Sequence, residues 1–305
     1  MPKRAKSKLQ KIIVIIGPTA SGKSDLAMRI ARKIGGEIIS ADSRQIYRGM
    51  DIGTAKPSLD EQKTVNHHLI NVVNPNQEYT IQDFKKDALR AIYRIILKGK
   101  QPILVGGTGL YISSIVNNLK IPRVKENKNL RAKLEKEIKR YGLAHIFSKL
   151  IKLDPEAAYI VDPKNPRRVI RALEIALETG LPFSAQRKIG KPLFDFTEIG
   201  LLKPDEELKE IIKTRIKVMM GNGLLAEVKN LVKNYGYNAK PFDAIGYREI
   251  ISYLKGEMTL EQAVDSMVKN TQRYAKRQMT WFKKDKKIQW FDNPKKALTY
   301  SLARR

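Results

Sequence analysis

The chain has 305 residues, of which 42% are hydrophobic and 30% charged, a composition typical of a folded globular protein with two domains or one domain and an insertion. It contains no cysteine, which excludes disulfides, thiolate metal sites and thiol catalysis, and no apolar run approaches the ~20 residues that span a membrane. Lys and Arg outnumber Asp and Glu by 59 to 31, and this excess favours a polyanionic partner over a small anionic metabolite alone, although solvated basic faces would also produce it.

The N-terminal stretch MPKRAKSKLQ is basic, but only five apolar residues follow it before the first glycine. A secretory signal needs a longer apolar segment, so the stretch is not read as a signal peptide. We therefore expect a cytoplasmic protein without a membrane segment.

The first predicted element is a buried strand at 12–16, which leads directly into GPTASGKS at residues 17–24. This octet fits the pattern G-x-x-x-x-G-K-[ST]. A helical pattern follows, with Leu26, Ile30 and Ile34 on one face. The order of strand, loop and helix is the context that a phosphate-binding loop requires.

The residue types of this loop explain how it would hold phosphate. Gly17 and Gly22 allow a tight backbone whose N–H groups point inward, at the positive end of the helix dipole. Lys23 supplies a positive charge for the outermost phosphate, and the hydroxyl of Ser24 is placed to bind Mg²⁺, the one cofactor that we predict. The predicted phosphate contacts are Gly17, Pro18, Thr19, Ala20, Ser21, Gly22, Lys23 and Ser24.

Further strands are predicted at 37–40, 68–73 and 102–105, with helical patterns between them. Alternating strands and helices are typical of an α/β fold with a parallel sheet, and the phosphate loop predicts a core like that of P-loop NTPases. The adjacent residues His67 and His68 would point to opposite faces of a strand, so we expect structural roles for them rather than a metal cluster.

Polar residues follow two of these strands. Asp42 comes after the second strand, within the run ISADSRQIYRGMDIGTAKP, and its carboxylate could act as a general base or as an outer ligand of Mg²⁺. The strand at 102–105 ends in the pair Gly106 and Gly107, followed by Thr108. Open α/β sheets bind ligands at the carboxyl ends of their strands, so both segments are candidate site residues.

The pattern changes to entirely helical between residues 123 and 198. In the segment LDPEAAYIVDPKNPRRVIRALE one face is apolar, whereas Arg167 and Arg171 lie on another. We predict three parts: a catalytic core at 1–122 and 199–305, and an all-helical insertion at 123–198 with an Arg-rich surface.

A long helix predicted near the C-terminus begins with a capping box formed by Thr259 and Gln262. It carries Arg273 and Arg277 beside aromatic residues, which suits an RNA phosphate backbone. A basic helix exposed to solvent is the alternative interpretation.

Eight stretches together resemble the bacterial tRNA dimethylallyltransferases, also called tRNA isopentenyltransferases. They occur in the order of that family and extend over nearly the whole chain. They are GPTASGKS (17–24), ISADSRQIYRGMDIGTAKP (39–57), HHLI (67–70), LVGGTGLYI (104–112), LDPEAAYIVDPKNPRRVIRALE (153–174), GLLAEV (223–228), IGYREI (245–250) and TQRYAKRQMTWF (271–282).

The resemblance implies transfer of a dimethylallyl group from dimethylallyl diphosphate to N6 of adenosine 37 in tRNAs that read codons starting with U. It implies that diphosphate rather than a nucleotide occupies the loop, and that the helical insertion grips the anticodon stem-loop. The enzyme would need mainly to stabilise the departing diphosphate and to keep water from an allylic cation. We expect tRNA and dimethylallyl diphosphate as partners and a monomer as the active form.

The resemblance also implies roles for particular residues. Thr19 would lie near the bridging oxygen of the diphosphate, and Asp42 would be the general base that accepts a proton or hydrogen bond from N6. Lys23 and Arg215 would act on the diphosphate. The expected tRNA contacts are Asp42, Ser43, Arg44, Gln45, Thr108, Arg167 and Arg168, joined by Arg273 and Arg277 of the basic helix.

Two positions depart from the family pattern. Ile211 stands where many relatives have an arginine, four residues before Arg215, and Ala226 replaces the first acidic residue of GLLEEV. Three other functions remain alternatives: an adenylate isopentenyltransferase acting on free AMP, ADP or ATP, a P-loop small-molecule kinase, and a non-catalytic RNA-binding protein. The intact segment NPRRVIRALE argues against the first of these.

Overall fold

A computed structural model describes residues 9–122, 124–186 and 188–304. The chain forms two compact units: residues 117–191 form one, and the residues before 117 and after 191 form the other, which we call the core unit. The helical unit thus begins and ends several residues earlier than the predicted 123–198. Residues 195–198 belong to a strand of the core, which the polar residues of DFTEIGL hid from the sequence pattern.

The core unit contains a six-stranded, entirely parallel sheet with the order β3-β2-β4-β1-β5-β6. The predicted α/β fold is therefore confirmed. The strands are β1 Lys11–Ile16, β2 Glu37–Ser40, β3 His67–His68, β4 Pro102–Gly106, β5 Asp195–Leu201 and β6 Gln289–Phe291. The central strands β1 and β4 are almost continuously apolar because helices cover both of their faces.

The predicted strands at 12–16, 37–40 and 102–105 are present, but the strand predicted at 68–73 is wrong beyond His68. Leu69 and Asn71 have φ angles of 62° and 54°, and this left-handed backbone ends the strand. Neither β5 nor β6 was predicted. β6 is only three residues long, too short to show an alternating pattern.

Helices pack on both faces of the sheet. On one face, Phe84 and Ile92 pack with Tyr111 against Ile12 and Val14 of β1. On the other face, a separate apolar cluster forms around the remaining side chains of β1. The first face is covered by α3 Ile81–Leu97 and α4 Gly109–Val116, and the other by α1 Lys23–Ile34 and, after the second unit, α14 Pro294–Ala303; the short α2 is Leu59–Thr64.

A second apolar core of the same unit lies among four helices and the segment after β2. Ile46, Tyr47 and Met50 of that segment pack with Ile212 and Tyr247. The helices are α10 Asp205–Gly221, α11 Leu224–Tyr235, α12 Tyr247–Leu254 and α13 Leu260–Phe282, with a 3₁₀ turn at Lys240–Asp243. Within the described residues, no helix is both long enough and apolar enough to cross a membrane.

The helical unit has its own core and a buried carboxylate. Its helices are α5 Lys128–Tyr141, α6 Leu143–Leu153, α7 Ala157–Ile160, α8 Pro166–Thr179 and α9 Phe183–Gln186. Glu174 is fully buried and accepts hydrogen bonds from Arg131, Arg171 and the backbone N–H of Asn127. Burial alone would raise the pKa of Glu174, but these hydrogen bonds hold it below its ordinary value of 4.5.

Replacing Glu174 should destabilise the helical unit. In Glu174→Gln the two guanidinium groups lose their common anion, and we expect a loss of about 2–3 kcal/mol in the free energy of unfolding at neutral pH. Because the folded pKa of Glu174 is depressed, its contribution is present above pH 4.5 and is lost as the pH falls below that value.

Denaturant unfolding followed by circular dichroism at several pH values would measure this difference. Glu178→Gln is the matched control, because Glu178 lies on the same helix and, within the described part of the chain, accepts a single exposed side-chain hydrogen bond, from Asn127. A difference between wild type and Glu174→Gln that is the same at pH 7 and below pH 4 would contradict this account.

Candidate active site

The phosphate-binding loop connects β1 to α1, and its backbone explains its residues. Gly17 has a φ of 145°, and a Cβ atom there would lie 2.7 Å from the carbonyl oxygen of Leu201 on β5. Gly22, immediately before α1, has a φ of 88°, and a Cβ atom there would meet no neighbour within 4 Å. Glycine is favoured at this position because of its backbone conformation, not because of crowding. Ala20 also has a positive φ, 65°, which is unusual for a residue with a Cβ atom. Such strain is common where a loop binds a ligand.

A cavity of about 450 Å³ opens at this loop; we call it the loop cavity. Five of the eight predicted phosphate contacts line it, namely Thr19, Ala20, Gly22, Lys23 and Ser24. The other three lie elsewhere in the loop: Gly17 packs against β5, the carbonyl of Pro18 accepts a hydrogen bond from Lys23, and Ser21 is buried. Among the described residues, the Ser21 hydroxyl is the one buried side-chain polar atom without a hydrogen-bond partner.

Lys23 is held in an unusual electrostatic environment. Its ammonium donates a hydrogen bond to the carbonyl of Pro18 at 2.5 Å. The pKa of Lys23 is lowered to about 7, mainly by burial and also by the nearby Arg215, while Asp42 acts in the opposite direction. In the free protein Lys23 is therefore partly neutral at physiological pH, and the binding of an anion would favour its charged form.

A second cavity of about 300 Å³ lies among the helices; we call it the helical cavity. Ser43, Arg44, the segment 243–248 and Arg277 line it, together with residues of α10 and α13. Five residues line both cavities: Thr19, Asp42, Thr54, Arg215 and Tyr274. The two cavities therefore meet at a junction. It contains Asp42, the predicted general base, and Thr19, the residue predicted to lie near the bridging oxygen.

Asp42 is fixed at this junction through one of its two oxygens. Oδ1 accepts hydrogen bonds from the backbone N–H groups of Arg44 at 2.8 Å and Gln45 at 3.3 Å. Within the described part of the chain, no donor occupies Oδ2. The carboxylate is thus oriented by the turn that follows β2, while one oxygen remains available to a ligand.

The residues after Asp42 are also held in place. The backbone N–H of Ser43 donates to the hydroxyl of Thr108 at 3.2 Å, which joins the turn after β2 to the turn after β4. Arg44 forms an ion pair with Asp243 at 2.8 Å across the helical cavity. The side-chain amide of Gln45 accepts a hydrogen bond from Ser40 and donates to the carbonyls of Thr54 and Ala55. The structure therefore brings the predicted cluster of Asp42 to Gln45 and Thr108 together.

Arg215 extends from α10 to both cavities. Burial lowers its pKa, whereas the carboxylates of Asp42 and Asp25 act in the opposite direction. A guanidinium stays protonated in proteins, so Arg215 supplies a permanent positive charge at the junction. Ile211, one turn earlier on α10, also lines the loop cavity and provides an apolar wall beside Arg215.

The predicted arginines of α13 lie in different places. Arg277 lines the helical cavity with its guanidinium 5.7 Å from the ring centre of Tyr274. Arg273 instead lines a separate groove of about 270 Å³ between α10 and α13, together with Lys269 and Lys276. Of these two arginines, Arg277 therefore lines the helical cavity and Arg273 does not. Arg167 and Arg168 are exposed in the first turn of α8, in the helical unit.

Sequence reasoning missed Tyr274 and Gln278 of α13. Burial, with the charge of Asp42 as a further cause, raises the pKa of Tyr274 to about 12, so its hydroxyl is neutral at the junction. Gln278 is buried, accepts a hydrogen bond from the Thr19 N–H at 2.8 Å and donates to the carbonyl of Gly107 at 2.9 Å. A Cβ atom on Gly107 would lie 2.1 Å from the Gln278 amide nitrogen. The one sequence feature that could have indicated Gln278 is its position, a glutamine within the apolar stripe of α13.

The two adjacent histidines have different surroundings. His68 contacts the buried carboxylate of Glu37 at 2.7 Å, whereas the Nδ1 of His67 lies 2.8 Å from the carbonyl oxygen of Val65. Burial lowers the pKa of His67, so its ring is neutral at physiological pH. His67 also lines the loop cavity, a position that the expectation of a purely structural role did not include.

The chain is similar to proteins of one known family. The model of the family described as IPP transferase matches residues 45–285. The chain belongs to the IPP transferase family. A tRNA dimethylallyltransferase of Alkaliphilus oremlandii is 44% identical over 93% of this chain and 91% of its own length, and one of Caldanaerobacter subterraneus is 45% identical over 92% and 91%.

Solved structures of the IPP transferase family agree with the fold. The tRNA isopentenylpyrophosphate transferase of Bacillus halodurans is 38% identical, covers 97% of this chain and 95% of its own, and has a TM-score of 0.71. A eukaryotic dimethylallyltransferase acting on tRNA is 33% identical, covers 90% of this chain and 70% of its own, and has a TM-score of 0.76. The family membership that the eight stretches indicated is thus shown.

The pKa of Lys23 predicts that an oxyanion ligand binds together with a proton. At about pH 8 most Lys23 side chains in the free protein are neutral, so binding of methyl diphosphate should take up close to one proton. At about pH 6 the side chain is already charged and uptake should be near zero. Above a pH of about 7, the free-protein pKa, the affinity should fall as the pH rises.

Calorimetric titrations in buffers of different ionisation enthalpy would measure this uptake. In Lys23→Gln the uptake at about pH 8 should disappear even where residual binding persists. Equal proton uptake at the two pH values in the wild type would show that Lys23 does not titrate as described.

Proposed function

We propose that this chain transfers a dimethylallyl group from dimethylallyl diphosphate to N6 of adenosine 37 in tRNAs that read codons starting with U. The observation that carries the proposal is the junction at which a phosphate-loop cavity meets a second cavity at Asp42, Thr19 and Arg215. A phosphate-binding loop alone would also suit a kinase. The carboxylate of Asp42, which lines both cavities, favours a reaction in which a second substrate loses a proton. The names of the relatives supply the chemical class of both substrates.

The diphosphate of the donor would lie in the loop cavity. Lys23 and Arg215 would stabilise the negative charge that grows on the leaving diphosphate as the allylic C–O bond breaks. Thr19 lines the junction and would lie near the bridging oxygen of the diphosphate. The apolar side chain of Ile211 on the same wall would help to keep water from the allylic carbon.

We assign Mg²⁺ as the cofactor on the donor set of the loop cavity. Ser24, the second residue of α1, lines the loop cavity and is exposed. Mg²⁺ in phosphate sites takes one or two protein ligands and completes its shell with phosphate oxygens and water, so the Ser24 hydroxyl fits it. When bound, it would neutralise part of the diphosphate charge, and Ser24 would hold it.

The acceptor adenine would enter from the helical cavity. In the transfer the N6 nitrogen forms a bond to the allylic carbon, the C–O bond electrons leave with the diphosphate, and a proton of N6 passes to Oδ2 of Asp42. Oδ1 keeps its hydrogen bonds to the turn after β2 throughout, so the carboxylate would not need to move. Ser43, Arg44, Gln45 and Thr108 would border the base.

The tRNA explains the basic surface. A base in a single-stranded loop can be extruded into a pocket at little free-energy cost, and enzymes that modify bases do this. Arg277 would contact the RNA beside the helical cavity and Arg273 from its separate groove. We assign the helical unit, with Arg167 and Arg168, to the anticodon stem-loop. Because both cavities are lined by one chain, a monomer suffices, and because the substrate is tRNA, we place the reaction in the cytoplasm.

The proposal predicts the product of one direct assay. The protein is incubated with dimethylallyl diphosphate, Mg²⁺ and unmodified tRNA, with AMP and ATP as parallel acceptors, and nucleosides are identified by mass spectrometry. We expect prenylated adenosine only from tRNA, located at position 37 by fragment analysis. Prenylated AMP or ATP without modified tRNA would indicate an adenylate isopentenyltransferase, and phosphate transfer from labelled ATP would indicate a kinase.

Asp42→Asn tests the base. The amide can still accept the hydrogen bonds of the turn, but it cannot accept a proton, so turnover should fall by about 10²-fold or more. Affinity for tRNA, measured by filter binding, should remain within about threefold, because the contacts to the phosphate backbone that dominate it are unchanged.

Asp60→Asn is the control for this substitution, because Asp60 is exposed on α2 and forms an ion pair with Lys63, its one such partner among the described residues. Near-normal turnover of Asp42→Asn would remove the base assignment. Restoration of its turnover by raising the Mg²⁺ concentration alone would favour the metal-ligand interpretation.

A further inference from the structure

We propose that Glu227 is a positioning residue of the acceptor pocket, which acts on Asp42 through the turn at residues 51–55 and through Gln45. This inference rests on the proposed function, since it assigns a residue to the acceptor side of that reaction. It concerns a carboxylate that lines neither the loop cavity nor the helical cavity.

Glu227, on α11, gathers four donors around one carboxylate. Oε2 accepts hydrogen bonds from the backbone N–H groups of Ile52 at 2.7 Å and Asp51 at 3.0 Å. Oε1 accepts from the N–H of Gly53 at 3.2 Å and from the hydroxyl of Tyr247 at 2.7 Å. Three successive N–H groups form a concavity that prefers an anion, and here a side chain from a distant helix occupies it.

The turn that Glu227 holds is strained and packed against the same tyrosine. Ala55 has a φ of 47°, so the turn contains a residue with a Cβ atom in the left-handed region. A Cβ atom on Gly53 would lie 2.5 Å from the ring of Tyr247, which shows how closely the backbone approaches this side chain. Gly53, Thr54 and Tyr247 all line the helical cavity. A shift of the turn would therefore change the wall of the acceptor pocket directly.

The turn in turn holds Gln45. The carbonyls of Thr54 and Ala55 both accept hydrogen bonds at 3.2 Å from the side-chain amide of Gln45. The backbone N–H of Gln45 donates to Oδ1 of Asp42. A continuous series of hydrogen bonds thus leads from Glu227 to the proposed base. It joins the sequence stretches GLLAEV, IGYREI and ISADSRQIYRGMDIGTAKP, which are far apart in the chain.

The residue beside Glu227 takes no part in these contacts. Ala226 is exposed, and the carboxylate that accepts the four hydrogen bonds belongs to Glu227. The departure at Ala226 therefore leaves the hydrogen-bond series intact.

Two variants test the proposal, Glu227→Gln and Tyr247→Phe. In Glu227→Gln, the side-chain NH₂ group would face N–H and O–H donors, and it cannot accept hydrogen bonds from them. In Tyr247→Phe, the hydroxyl donor is lost, whereas the ring stays against Gly53. We expect Glu227→Gln to raise the KM for tRNA about tenfold and to lower kcat about tenfold, since small misplacement of reacting groups has effects of this size. Tyr247→Phe should show a smaller change of the same kind. Glu261→Gln, an exposed acid of α13, is the control.

Two further measurements separate positioning from general loss of structure. The affinity for methyl diphosphate should remain within about twofold, because Glu227 does not contact loop 17–24. Amide hydrogen exchange in residues 42–55 should become faster in Glu227→Gln, whereas exchange in loop 17–24 should not change. This measurement needs no substrate, so it reports on the hydrogen-bond series even if the wild type fails to modify tRNA.

The outcomes distinguish the two proposals. A wild type that does not prenylate tRNA overturns the proposed function, whatever the variants do. An active wild type with unchanged kcat/KM for tRNA in Glu227→Gln overturns the positioning role. Proportional loss of methyl diphosphate affinity and transfer, or unchanged exchange in residues 42–55, also overturns it.

Discussion

The hydrogen bonds of one side chain, Gln278, connect the parts of the site to each other. Its amide accepts from the N–H of Thr19 in the phosphate loop and donates to the carbonyl of Gly107 after β4. The bond to Gly107 is buried and the bond from Thr19 is partly buried. An unpaired polar group in a buried position costs about 1–3 kcal/mol. The amide can satisfy both partners only if the loop, the turn and α13 keep one relative position. Because α13 also carries Tyr274 and Arg277, this constraint fixes one cavity relative to the other.

The fold explains why one glutamine can do this. β1 and β4 are neighbours in a parallel sheet, so the phosphate loop and the Gly106-Gly107 turn emerge side by side at the carboxyl edge. The absence of a side chain at Gly107 leaves space for the amide of Gln278. Asp42 follows β2, the next strand beyond β4, and Thr108 links it to the same edge. The site is therefore built from the ends of three adjacent strands and from side chains of the helices α10 and α13.

The sequence predicted what is local and missed what depends on distant contacts. The loop at 17–24 was predictable because its chemistry lies within eight consecutive residues with a strand before and a helix after them. The end of the strand at His68 was not, since the left-handed backbone of Leu69 and Asn71 follows from contacts with the segment after β2. Glu227 looked like an ordinary helix surface residue, because its partners lie about 175 residues earlier in the chain. Arg273 and Arg277 looked equivalent until the packing of α10 separated them.

The charges around the loop cavity give the strongest physical argument for a divalent cation. Among the described residues that line it, the cations are Lys23, Lys56 and Arg215, and the carboxylates are Asp25, Asp42 and Glu61. The ammonium of Lys56 is already committed to Asp51, Asn71 and the carbonyl of Tyr47. A formally neutral cavity would receive a diphosphate of charge about −3 without compensation, which a low-dielectric site strongly opposes. Ile211 adds no charge beside Arg215 among the described residues, so under the proposed function a cation that enters with the diphosphate would supply the missing charge.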